Sequence, residues 1–204
     1  MTAFSSTALS DRILRSGVSE RIKKLVRDVG DSAANFLGAD SMAASTVMEA
    51  TVEKYESRIV TDPMTGVIHT QIYIDLTGAS STTTDLDIIG AAGACHIGQI
   101  TAAINGTVFD GRMTCLEVPA GGADDIDFYE ASVATGAYDA DVSGLTNAGV
   151  LLTKGGAWAA AMPAAGTDLT GLPTANYYLY LAGGEAGTAA AYTAGKFLIE
   201  FWGV

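Results

Sequence analysis

Charged residues are scarce in this sequence of 204 residues, at 17% of the chain against about 25% in an ordinary globular domain. Apolar residues reach 49%, but much of that share is alanine, which buries little area per residue. The length suits one domain with an appendage. A thin core and a weakly charged surface are typical of subunits that bury area against other copies. Composition therefore favours an assembly over a free monomer.

Histidine and cysteine are almost absent, which removes most nucleophilic and metal chemistry. The two cysteines, Cys95 and Cys115, do not have the spacing of a zinc site, and they could form one disulfide or stay free. Cys95 and His96 are adjacent residues, and on a strand such neighbours point to opposite faces. We therefore interpret Cys95 as a small buried hydrophobe and His69 as a solvated surface residue. No catalytic set emerges, so we predict no enzyme, no cofactor and no metal centre.

Long apolar runs are also missing. The longest apolar stretches fall far short of the ~20 residues that cross a bilayer, and the N-terminus lacks the apolar region of a secretory signal. We therefore expect a soluble protein that is made in a cytoplasm.

The little charge that is present is unevenly distributed. Residues 1–30 carry six bases and three acids, a balance of +3, whereas residues 31–204 carry five bases and twenty acids, a balance of −15. An acidic body is repelled by nucleic acid and by anionic membranes, so neither is an expected partner. The basic N-terminal segment is suited to an acidic surface.

Residues 9–30 contain the clearest helical pattern. Apolar side chains recur every three or four positions along one face, namely Leu14, Val18, Ile22, Leu25 and Val29. Such a helix could pack on its own body, dock on another subunit or lie on a membrane, although it lacks the Trp and Phe that favour membranes. Residues 31–50 are rich in serine and alanine, which predicts a linker with room for a short helix. The predicted organisation is a basic arm and linker at 1–50 and a β-sandwich body at 51–204.

The body has the signals of strands and tight turns. Apolar and polar residues alternate from Ile68 to Leu76, the period of a half-buried strand. The turn sequence at 62–66 predicts a hairpin that joins residues 51–61 to this strand. Asn105-Gly106 between β-prone flanks predicts a second hairpin, and Asp110-Gly111 a further turn or a bulge.

Later apolar segments predict further strands, at Arg112–Val118, Ile126–Val133, Val150–Thr153, Tyr177–Ala182 and Lys196–Trp202. The last of these is apolar on both faces apart from Glu200, so we expect it to lie between neighbours and not at a sheet edge. Eight or nine short strands without alternating helices predict an all-β fold, specifically a jelly-roll-like β-sandwich with an extended, partly helical N-terminal arm.

Two remaining clusters have a binding and a structural interpretation each. Asp124, Asp125 and Asp127, followed by Glu130, form a weak calcium candidate that lacks the EF-hand spacing, and we interpret them as solvated loop charge. The aromatic residues near the C-terminus could form a carbohydrate-stacking platform. We interpret them as core or interface residues, where Tyr and Trp are also favoured.

Two longer stretches resemble a known group of proteins. They are CHIGQITAAINGTVFDGRMTCLEVPAGGADDIDFYEAS at 95–132 and YLYLAGGEAGTAAAYTAGKFLIEFWGV at 178–204. Both are similar to head-decoration, or cement, proteins of tailed marine bacteriophages. The resemblance implies a jelly-roll body, often trimeric, that sits outside the capsid and clamps neighbouring major capsid proteins. It brings no catalytic residues with it.

On this resemblance we expect a structural virion protein that decorates the capsid surface, is synthesised in the host cytoplasm, and has the major capsid protein and its own copies, as a homotrimer, for partners. The arm residues expected to contact the capsid are Arg12, Leu14, Arg15, Val18, Arg21, Ile22, Leu25 and Val29. The alternative is a virion-attached carbohydrate-binding or tail or fibre component. A hydrolase on a β-sandwich is a third hypothesis, and it would need converging carboxylates that the sequence does not nominate.

Overall fold

The computed structural model describes residues 42–187 and 189–204, and these residues build an all-β fold with a few short helical turns. The two α-helices are α1 (Thr46–Thr51) and α2 (Ala102–Asn105), and single 3₁₀ turns occupy Val142–Gly144 and Pro163–Ala165. The strands in chain order are β1 (Lys54–Thr61), β2 (Ile68–Asp75), β3 (Val108–Ala120), β4 (Ile126–Ala131), β5 (Gly149–Leu152), β6 (Thr167–Asp168), β7 (Tyr178–Gly183) and β8 (Ala194–Gly203). The all-β prediction is confirmed.

The strands form two antiparallel sheets. The large sheet has the order β1-β2-β8-β3-β6, and the small sheet has the order β5-β4-β7. Side chains from both sheets meet in one hydrophobic cluster, where the rings of Phe128 and Phe201 stack with their centroids 6.2 Å apart. The core therefore lies between the sheets.

The predicted hairpin at the start of the body is confirmed. Strands β1 and β2 pair antiparallel, from Lys54 opposite Asp75 to Thr61 opposite Ile68. The turn is held by Asp62, whose carboxylate accepts the Met64 N–H at 2.8 Å and the Thr65 hydroxyl at 2.8 Å. Asx turns of this kind form locally, which is why the turn could be predicted from sequence.

The C-terminal strand is central, as predicted. Strand β8 lies between β2 and β3, so both of its edges are hydrogen-bonded. The sequence Asp110-Gly111 predicted either a turn or a bulge. The structure shows a bulge, because the register of β3 against β8 shifts between Val108 and Asp110.

The predicted hairpin at Asn105-Gly106 is wrong. These residues end the short helix α2, and Gly106 has the positive φ of 67° that a chain reversal there needs. The Asn105 side chain is buried, accepts the Thr101 N–H at 2.8 Å and donates to the Thr70 hydroxyl at 3.0 Å. A tertiary contact to β2 thus decides the local conformation in place of the turn propensity.

Irregular segments complete the small sheet. Backbone hydrogen bonds tie β7 to residues 86–100, among them Ile89 N–H to Leu181 O at 2.9 Å and Ile97 N–H to Leu179 O at 2.8 Å. This segment covers the edge of β7 that does not pair with β4. A bare edge there could pair with other chains, and the segment prevents this.

The packed body begins before the predicted boundary at residue 51. Helix α1 is capped by Ser45, whose hydroxyl accepts the Met48 N–H at 3.1 Å, and both Met42 and Met48 are buried in the core. The proposed arm residues between Arg12 and Val29 lie outside the described residues. No helix in the described part of the chain is long and apolar enough to cross a bilayer.

Candidate functional site

Within the described residues, a network of polar side chains lies on the side of the large sheet that faces away from the small sheet. Strand alternation explains its composition. Ile199 and Phe201 of β8 point into the core, so the alternate residues Glu200 and Trp202 are on the opposite side of the sheet. Register then places outward residues of β1, β2, β8 and β3 side by side. We call this surface the outer face, defined by Glu56, Arg58, His69, Gln71, Tyr73, Arg112, Glu200 and Trp202.

Glu200 is at the centre of the outer face and is almost completely buried, with 3% of its surface exposed. Three side chains surround its carboxylate: His69 Nε2 lies 3.0 Å from Oε1, Gln71 Nε2 donates to Oε1 at 3.1 Å, and Arg112 Nε donates to Oε2 at 2.9 Å. The flanking strands β2 and β3 supply these groups directly opposite or diagonal to Glu200.

These hydrogen bonds keep Glu200 ionised. Burial alone would raise the pKa of Glu200, but the hydrogen bonds from Arg112 and Gln71 and the charge of Arg112 outweigh it and hold the pKa below its usual value. A carboxylate held ionised by a guanidinium and an amide donor is a poor general base or nucleophile. Glu200 therefore orders its neighbours and is not poised for proton transfer.

Trp202 is enclosed on both sides by members of the same network. The His69 ring stacks on the indole with centroids 4.9 Å apart and an interplanar angle of 11°, and the Arg112 guanidinium lies 4.9 Å from the indole centroid. Because β2 and β3 flank β8 on opposite sides, these groups cover opposite faces of the ring. A sugar therefore has no free indole face to stack on.

The predicted role of His69 as a solvated surface residue is wrong. Its side chain is 31% exposed, contacts Glu200 and stacks on Trp202. The polar side of the alternating strand was predicted correctly, but the partner from β8 could not be read from the β2 sequence.

An open groove of about 430 Å³ lies beside this network, at the end of the sheet near the β1–β2 turn. It is lined by Arg58, Val60, Asp62, Thr65, Val67, His69, Gln71 and Trp202. Guanidinium, imidazole, amide, hydroxyl and carboxylate groups all reach it. The groove can thus form hydrogen bonds to a polar ligand or to a side chain of a partner protein.

The acidic cluster does not match the interpretation of solvated loop charge. Asp124 is exposed, but Asp125 and Asp127 are each 2% exposed, so for these two residues the interpretation is wrong. Glu130 is also buried and is held by Thr174, whose N–H and hydroxyl donate to its carboxylate at 2.6 and 2.8 Å. Asp125 directly precedes β4, and Asp127 and Glu130 lie on it; the sequence pattern did not show that other segments bury these side chains.

The cysteines are buried and free. Cys95 is fully buried, as predicted, and its thiol donates to the carbonyls of Ala91 at 3.1 Å and Gly93 at 3.2 Å. Burial raises the pKa of Cys95 and raises that of Cys115 to about 11, while burial lowers the pKa of His96. Thiols held protonated in this way are unreactive.

No group of three or more His, Cys, Asp or Glu side chains is placed to hold a metal ion in residues 42–187 and 189–204. The aromatic residues near the C-terminus were predicted to be core or interface residues, and the buried rings of Tyr180, Tyr192 and Phe201 confirm the core assignment for these three.

Sequence reasoning missed the outer face as a site, although one signal was present. Glu200 is the single charged residue in the apolar run from Phe197 to Trp202, and a lone acid in a central strand needs a partner. Which residues provide that partner depends on strand register.

Comparison with known proteins finds no matching family model, no similar curated protein and no similar solved structure.

Proposed function

We propose that this chain is a structural, non-enzymatic virion protein of the capsid-decoration type. It binds the shell of major capsid protein through its N-terminal arm and through the outer face of its body. The observation that carries this proposal is the fixed network around Glu200. Its charged and aromatic side chains are already held in place, and both oxygens of the carboxylate at its centre are in contact with polar side chains.

A surface of this kind suits docking to a protein. Trp and Arg are enriched at the centres of protein interfaces, and Trp202 and Arg112 lie in contact at the middle of the outer face. Side chains that are held before binding lose little conformational entropy when a partner arrives. The charged Glu200 carboxylate and its partners favour a partner protein of complementary charge. The carboxylate is held by its donors and offers no reactive group.

The sequence supports the same role. The sequence of the arm predicts a helix with an apolar stripe from Leu14 to Val29 and bases on the other face, which suits an acidic surface on a capsid subunit. A jelly-roll-like connection of the strands and a homotrimeric body belong to this proposal, since a trimer that engages several capsid subunits gains avidity from modest single contacts. The acidic body would keep the finished particles from sticking to each other.

The alternative is a virion-attached carbohydrate-binding component, and the groove beside Trp202 is the observation that favours it. Its polar lining could hydrogen-bond a sugar, but the covered faces of the indole remove the stacking that usually anchors one. Saturable binding on a glycan array, lost when Gln71 is replaced with Ala, would favour this alternative.

The proposal is tested by cosedimentation of the purified full chain with phage heads that lack it. Glu56→Lys reverses a charge on the outer face, where the Glu56 side chain is 63% exposed. Glu185→Lys is the matched control, an identical change at an exposed residue that follows β7. We expect the full chain and the control to bind heads alike, Glu56→Lys to bind several-fold more weakly, and removal of residues 1–41 to abolish binding. Failure of the full chain to bind heads would overturn the proposal.

A further inference from the structure

One oxygen of Asp125 lies buried without a hydrogen-bond partner. Asp125 is 2% exposed, and its Oδ1 atom has no hydrogen-bond partner among the described residues, although the Gly156 backbone N–H hydrogen-bonds to the carboxyl group. A buried acceptor without a partner destabilises a fold, and an ionised carboxylate does so strongly. The position of this oxygen therefore requires a ligand or a proton.

A second buried carboxylate faces the same point. A methyl group placed on Gly184 would lie 2.7 Å from Asp125 Oδ1 and 2.9 Å from Asp127 Oδ1. The two oxygens thus both lie close to Gly184, which leaves room for them because it has no side chain. Asp127 Oδ1 also accepts the Lys154 N–H at 2.7 Å, which fixes the orientation of that carboxylate.

The surroundings are strongly acidic. Burial raises the pKa values of both carboxyls, and the negative charge of the exposed Asp85 adds to this. The Gly156 backbone N–H and the Lys154 charge act the other way on the pKa of Asp125, as the Lys154 backbone N–H does on that of Asp127. The cation in this neighbourhood is Lys154, whose ammonium lies 5.3 Å from the Trp158 ring centroid. No ion pair between described residues joins Lys154 to either aspartate.

We propose that Asp125 and Asp127 form the fixed part of a calcium site. Two carboxylates do not complete a coordination shell, so water supplies the further oxygens. The donor set consists only of oxygen, which excludes the softer ions that prefer His or Cys. Calcium fits better than magnesium, because it accepts six to eight oxygens in irregular geometry. The proposal is independent of the capsid-binding role.

The first test measures thermal unfolding of the full chain after treatment with EDTA, with and without added CaCl₂. At a free calcium concentration of about 100 times Kd, mass action predicts a rise of roughly 5–10 °C in the unfolding midpoint. Asp125→Asn and Asp127→Asn should lose this rise. Asp124→Asn is the matched control and should keep it, because Asp124 is an exposed neighbour outside the converging pair.

A second readout covers the case in which a variant is too unstable for the first. Terbium(III) bound in place of calcium should luminesce when tyrosine is excited, because Tyr129 lies two residues from Asp127 on β4 and on the same side of the strand. Added calcium should displace the terbium and abolish the emission, and Asp125→Asn should show no emission.

Three outcomes would overturn the proposal. One is a wild-type chain that shows no calcium-dependent shift at about 10 mM, roughly ten times the dissociation constant of about 1 mM at the weak end of protein calcium sites. Another is an equal calcium response in wild type and Asp125→Asn. The third is a calcium-insensitive chain that gains stability as the pH falls from about 7 to about 5, since the aspartate pair would then share a proton.

Discussion

Replacing Glu200 with Gln is expected to lower the free energy of unfolding by about 2–4 kcal/mol. The change keeps the size of the side chain but removes the charge that Arg112 and His69 face at 2.9 and 3.0 Å. A hydrogen bond to a charged group contributes about 1.5–3 kcal/mol, and breaking a buried ion pair costs about 3–5 kcal/mol. The amide also presents N–H donors where Gln71 already donates. Because Arg112 and His69 are partly exposed, the expected loss of free energy stays below the upper end of the range for a buried ion pair.

The assay is thermal and urea unfolding at pH 7. A loss of this size should lower the unfolding midpoint by roughly 5–15 °C for a chain of this length. Glu117→Gln is the matched control, because Glu117 lies on the neighbouring strand β3 with a side chain 43% exposed, and its change should cost less than about 1 kcal/mol. If Glu200→Gln unfolds within about 0.5 kcal/mol of wild type, the network does not order the outer face.

The pH dependence gives a second check on the same residue. The folded-state pKa of Glu200 is lowered, so its contribution to stability is present above the unfolded pKa of about 4.3 and is lost as the pH falls through the folded pKa. The difference in stability between wild type and Glu200→Gln should therefore shrink on acidification below about pH 4. A difference that grows in this window would contradict the assignment of an ionised, paired Glu200.

Two further predictions concern the core. Tyr180→Phe should lower the free energy of unfolding by about 1–3 kcal/mol, because the Tyr180 hydroxyl donates to Val133 O at 2.6 Å and that carbonyl would lose its partner; urea unfolding checks this, and an unchanged midpoint would contradict it. Cys95 and Cys115 should react with a thiol reagent only after unfolding, since both thiols are buried with raised pKa values; rapid labelling of the native chain at pH 8 would show that one of them is accessible.

Local sequence signals predicted the parts of the fold that local physics decides. The β1–β2 hairpin followed from alternation and from the turn at Asp62, where side chain and backbone of neighbouring residues hydrogen-bond each other. The central position of β8 followed from its apolar character on both faces. The wrong hairpin at Asn105-Gly106 has the opposite origin, because the Asn105 side chain is held by Thr70, far away in sequence.

The candidate sites could not be predicted because they depend on register and on loop placement. Nothing within β2 shows that His69 and Gln71 lie beside Glu200, since residues more than a hundred positions apart meet only through strand pairing. Likewise, the sequence pattern indicated solvated loop charge at Asp125 and Asp127 and gave no sign that other segments of the chain bury them.

Electron microscopy of phage particles assembled in the presence of this chain tests the proposed function most directly. The account predicts density for the two-sheet body on the outside of the head, with the outer face of the large sheet and the N-terminal segment directed at neighbouring capsid subunits. Density on the tail alone, or none on the particle, would contradict it.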